Sequence, residues 1–120
     1  MGGNNIVKEK SEAFALRIVN LYRHLTSRSD DKEFVMSNQL LRSGTSIGAN
    51  IAESEYAISK DDFRAKFYIA LKECNESCYW IKLLFKSNYL TQQEYESLYC
   101  DCEELLKLLV SITKSLKTNK

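Results

Sequence analysis

With 120 residues, 44% hydrophobic and 28% charged, the chain has the makeup of one soluble domain large enough to bury a core unaided. Its 17 Lys and Arg against 16 Asp and Glu leave a net charge of +1, which excludes the strong global field of a dedicated nucleic-acid binder. Proline is absent, only four glycines occur, and no apolar run approaches the roughly 18 residues of a membrane helix, so long soluble helices with short connections are expected.

Residues 1–6, Met1 to Ile6, lack the basic-then-apolar pattern of a signal peptide. Ile6 also stands where a myristoylation motif after Gly2 requires Ser or Thr. They are expected to form a flexible tip on a cytoplasmic protein. A first helix is predicted over about 7–26, with Phe14, Ile18, Leu21, Tyr22 and Leu25 at helical spacing. Lys10, Arg17, His24 and Arg28 share a narrow sector of that helix without an acid. They are therefore candidates for phosphate contact, against the plainer reading of a solvated face.

A polar turn over 26–30 leads to a second helix over about 31–56. Asp30 is the expected N-cap, with Glu33 three residues later closing the box. The apolar stripe is Met36, Leu40, Ile47 and Ile51, flanked by the small residues Gly44, Gly48 and Ala52. Two glycines inside a helix cost about 1 kcal/mol each against alanine. The offset expected here is close approach of neighbouring helices on more than one side. Arg42 and Glu53 bracket this uncharged run on one face. Arg42 could reach a phosphate, or each could pair with an opposite charge on a neighbouring helix or subunit, which is the favoured reading. Ser43, Asn50 and Ser54 form a polar strip expected to make interhelix hydrogen bonds.

Ser59 is the expected cap of a third helix over about 60–87, with Asp62 at the box position and Ile58 stapling Phe63. Phe63, Phe67, Leu71, Cys74, Cys78, Ile81 and Phe85 make its core stripe. Ile69, Tyr79, Trp80 and Leu83 lie off that stripe and are the candidate interface between copies of the chain, since such an apolar face left open marks an interaction surface. Asn88 is a left-handed stop. Thr91 with Glu94, and Leu90 against Tyr95, open a fourth helix over about 92–117. Leu98, Cys102, Leu105, Leu109, Ile112 and Leu116 follow bundle spacing. Lys114, Lys117 and Lys120 end it without nearby acids, as further phosphate candidates or as cations suited to a helix C-terminus. Short connections make neighbours antiparallel, so residues 7–118 are expected to form an all-α, up-down-up-down four-helix bundle.

Cys74, Cys78, Cys100 and Cys102 are read as small buried thiols, because their spacings lack the turn-borne pairs of a zinc site. His24 is the only histidine, so the Glu-x-x-His motifs of bundle oxidases cannot be built. With no glycine-rich phosphate loop and no nucleophile–His pair, the chain reads as non-enzymatic, without metal or cofactor.

The run Arg42-Ser43, Ser46-Ile47, Asn50-Ile51-Ala52-Glu53, with Phe67 to Leu71, Glu76 and Asn88-Tyr89-Leu90-Thr91 further on, resembles a bacterial family. Its proteins are encoded in intervening sequences of large-subunit ribosomal RNA genes and are often called ribosomal proteins. They are related to the accessory variability protein of diversity-generating retroelements. The resemblance spans helices one to four. One departure is Ser54 after Glu53, where glycine is common in the family. The resemblance implies a homopentameric ring and a nucleic-acid-associated, RNA-linked scaffold role. The alternative is a scaffold in which the homo-oligomer holds another polypeptide.

Overall fold

Four helices make up the computed structural model, which describes residues 2–117: α1 (Gly2–Thr26), α2 (Val35–Ser54), α3 (Lys60–Lys86) and α4 (Gln92–Lys117). α1 begins at Gly2, several residues before the start that periodicity suggests, and its Val7 is fully buried. Thr118 and Lys120 lie outside the described residues.

The helix ends follow from local chemistry. Asn88 takes φ 71°, the left-handed conformation in which asparagine is tolerated, and stops α3. Three residues on, the Thr91 hydroxyl accepts from the Glu94 N–H at 3.1 Å while the Glu94 carboxylate accepts from the Thr91 N–H at 2.9 Å, a complete capping box. Ser59 likewise accepts from the Asp62 N–H at 3.0 Å. The Asp62 carboxylate, however, accepts from Ile58 N–H, and Ile58 is 93% exposed, so the expected staple onto Phe63 does not form.

The start of α2 differs more. Asp31 turns to φ 56°, and the helix begins at Val35 rather than 31. Glu33, not Asp30, caps it. Its carboxylate accepts from the N–H of Met36 at 3.0 Å, the N–H of Ser37 at 2.7 Å and the Ser37 hydroxyl at 2.8 Å. The reason is reach. Glu33 lies before the helix, and its longer side chain folds over the unpaired N–H groups of the first turn. Burial raises the carboxyl pKa, but those hydrogen bonds lower it further, leaving it below the usual range.

Each helix packs on two neighbours, α1 on α2 and α4, and α3 on α2 and α4, with no diagonal contact among the described residues. Partner numbers rise along one helix as they fall along the next: Lys8 with Glu55, Arg42 with Glu73, Glu53 with Lys66, Lys10 with Glu104, Arg17 with Asp101. α1 and α4, and α2 and α3, therefore run in opposite directions, in a bundle measuring 52 × 23 × 19 Å. The core combines Phe14, Ile18 and Leu25 with Leu40, Ile47 and Ile51, Phe67, Ala70 and Ile81, and Leu98, Leu105 and Leu109.

The glycines of α2 do bring helices together, but on one side only. A Cβ on Gly44 would lie 2.9 Å from Cγ1 of Ile18, and one on Gly48 would lie 3.3 Å from the Ser11 hydroxyl. Both face α1. Ala52, the third of the small residues, is exposed at the rim of the α1–α2 groove. Of the polar strip, Ser43 alone reaches another helix, through a buried hydroxyl pair with Ser77 at 2.9 Å. Asn50 and Ser54 bond back to carbonyls of α2 itself.

Candidate functional site

The basic sector of α1 is not free. Lys10 pairs with Glu104 at 3.2 Å, and Arg17 with Asp101 at 2.7 Å while also reaching Ser97. Arg28 donates to the Tyr89 carbonyl and lies over that ring, its Cζ 5.9 Å from the centroid. A helical wheel of α1 contains no acid in this sector because the acids come from α4. His24 is exposed and carries no ion pair among the described residues.

The cations of α4 stand differently. Lys114 and Lys117 are exposed and unpaired among the described residues, and so is Lys107, which the reading of the helix end overlooked. Lys107 and Lys114 are seven residues apart, two turns along one face. They flank a shallow depression of about 330 Å³ that also involves Leu106, Val110 and Ser111. The i, i+7 spacing was a legible signal; that both lysines lack acids could be seen only with all four helices placed.

Arg42 bridges α2 to α3. Its guanidinium donates to Glu73 at 3.2 Å, to Gln39 at 3.3 Å and to Glu76. Glu76 also accepts from the indole N–H of Trp80 at 2.9 Å. Glu53, the other bracket of the uncharged run, pairs with Lys66 at 3.1 Å. The Arg42 side chain is about half exposed, so these ion pairs contribute on the order of 1 kcal/mol or less. Glu76→Ala is expected to cost about 1 kcal/mol and to shift the fluorescence of Trp80, the only tryptophan, as its indole loses a partner. An unchanged emission spectrum would contradict this geometry.

The outward face of α3 is only partly as anticipated. Tyr79 is 55% and Ile69 37% exposed, joined by Tyr68 at 39%. Trp80 and Leu83 are half-buried, and Trp80 packs against the core with Tyr79 edge-on at 5.1 Å. Residues 69 and 79 therefore form the exposed surface, and Trp80 is its foundation.

Three cysteines are buried, while Cys100 is exposed, contrary to the expectation for all four, because Cys100 and Cys102 fall on nearly opposite faces of α4. Among the described residues no cluster of His, Cys, Asp or Glu could hold a metal ion. No helix among them is long and apolar enough to cross a membrane.

Four helices in a cyclic arrangement, joined by short connections and interhelix ion pairs, define an all-α protein of the four-helix-bundle class. The sequence model of the 23S rRNA-intervening sequence proteins matches residues 3–111, and the chain belongs to that family. It is similar to a crystal structure from Bacteroides thetaiotaomicron VPI-5482, of a protein of unknown function from the S23 ribosomal protein family. The TM-score is 0.88 and the identity 56%, over 93% of this chain and 98% of that one. No curated protein matches. The resemblance carried by α2 is thus the family to which the chain belongs.

Proposed function

We propose that the protein is a non-enzymatic, ring-forming helical scaffold that associates with RNA. Membership in a family named for ribosomal RNA intervening sequences supports the nucleic-acid side of this reading. The outward α3 residues Tyr68, Ile69 and Tyr79 support self-association, since aromatic surface of this kind favours a protein partner. The observation that carries the RNA reading is the contrast in charge pairing. Lys10 and Arg17 of α1 are matched by acids of α4, whereas Lys107, Lys114 and Lys117 have no ion pair among the described residues, so RNA contact falls on the outer face of α4. A small charge per copy is enough if a ring presents this face several times.

Light scattering should give a closed oligomer, with a pentamer the expected size. Binding to a structured RNA should weaken steeply with salt, because phosphate contacts release counterions. Lys107→Glu with Lys114→Glu should reduce affinity at least tenfold, and Arg17→Gln far less. Absence of binding at about 50 mM salt would favour the second reading, in which the exposed α3 face lets the oligomer hold another polypeptide.

A further inference from the structure

The geometry points to Cys78 and Cys102 as an oxidisable dithiol that closes into an intrachain disulfide under a hydroperoxide, locking α3 against α4. The two sulfurs lie 2.7 Å apart across the helix interface, with the Cys78 thiol donating to the Cys102 sulfur. A disulfide holds them at about 2.0 Å, so little movement separates the thiol pair from the bond, and the bundle need not open. Cys102 is held in addition by Cys74: the Cys74 thiol donates to the Cys102 carbonyl and the Cys102 thiol to the Cys74 carbonyl, each at 3.5 Å.

The pair is asymmetric in a way that assigns roles. Cys102 is fully buried, whereas Cys78 is 7% exposed, which makes Cys78 the residue nearer to solvent and the one proposed to meet a small peroxide first. Cys78 also has its thiol pKa lowered, chiefly by its interaction with the Cys102 thiol and then with that of Cys74, with Lys82 adding to the effect. Hydrogen bonds to Cys74 and Cys78, with burial, raise that of Cys102. A thiolate is the nucleophile in such chemistry. The Cys78 sulfur attacks the peroxide oxygen, the O–O bond breaks, and one molecule of water or alcohol leaves as Cys78 becomes a sulfenic acid. The Cys102 sulfur then attacks Cys78, the S–O bond breaks, and a second water leaves. Two thiols are oxidised by two electrons and the peroxide is reduced by two. The bond joins positions 24 residues apart on different helices. It pins the helix carrying Tyr79 against the helix whose Asp101 partners Arg17.

The test is to treat the native protein with equimolar hydrogen peroxide, unfold it, alkylate with iodoacetamide and weigh it. Two of the four cysteines should resist alkylation. Tryptic peptides from the two helices should be joined, fragmentation should place the bond at Cys78 and Cys102, and dithiothreitol should reverse it. The oxidised protein should melt at a higher temperature than the reduced one, as expected when a cross-link restrains the unfolded chain. Cys100→Ser should retain the bridge, and Cys102→Ser should abolish it. Four alkylated cysteines, a bridge through Cys100 between chains, sulfinic acids in place of a bond, or a lower melting temperature would each overturn the proposal.

Discussion

Gly44→Leu is expected to destabilise the bundle by about 3 kcal/mol or more, or to abolish folding. Even the first carbon of the new side chain would sit 2.9 Å from Cγ1 and 3.1 Å from Cγ2 of Ile18. Ile18 is 1% exposed and β-branched, so it has neither space nor rotamers into which to retreat. Gly44→Ala is the milder form. Its overpacking exceeds the roughly 1 kcal/mol of helix propensity it restores, leaving a net loss. Gly48→Ala should behave in the opposite sense. Its Cβ would meet the Ser11 hydroxyl at 3.3 Å and nothing else within 3.5 Å, so the gain in propensity should leave stability equal or higher by up to about 1 kcal/mol. Urea unfolding of the three variants decides the matter. Equal effects of alanine at positions 44 and 48 would contradict the account of how α1 meets α2.

Glu33→Gln is expected to cost about 1–2 kcal/mol at pH 7, because charge-assisted bonds to the first turn of α2 are weakened inside a largely buried site. The pH dependence is the sharper check. The folded carboxyl lies below its ordinary value of 4.5, held there by bonds from Met36 and Ser37 that outweigh the opposing effect of burial. A depressed carboxyl pKa contributes stability that is fully present above the unfolded value and lost as pH falls through the folded one. The wild-type advantage over Glu33→Gln should therefore hold from pH 7 down to about pH 5 and shrink steadily below 4.5. A gap between the two proteins that stays constant from pH 7 to pH 3 would show that Glu33 is not an ionised cap.

The two variants probe different levels of information. The α2 glycines are conspicuous in the sequence because isolated glycines inside a helix ask for a packing reason, and the reason is present. Which neighbour supplies it was not legible: both face α1, on one side, and the nearest atoms at Gly44 belong to the Ile18 side chain rather than to backbone. Glu33 was legible as an acid near a helix start. Its role changed because the chain turns at Asp31 and delays the helix until Val35, so a residue expected inside the first turn stands before it and caps it.

Periodicity and capping, both local in origin, were enough to establish four helices, the two later helix starts at Ser59 and Thr91 and the stop at Asn88, while the α2 motif pointed to the family by resemblance. Side-chain direction within one helix depends only on sequence spacing, and a cap involves residues three apart. Charge pairing does not obey that limit. Lys10 and Arg17 look unopposed until α4 brings Glu104 and Asp101 against them, and Lys107 looks ordinary until no described acid is found to form an ion pair with it. The approach of Cys78 to Cys102 has the same character, since neither helix alone encodes the rotation that aims one sulfur at the other. The sequence by itself determined the elements, their apolar faces and the family. Tertiary structure alone decided which charges are neutralised, which aromatics remain outside and which thiols meet, because those depend on the azimuth and axial register of separate helices, quantities set by packing between segments distant along the chain.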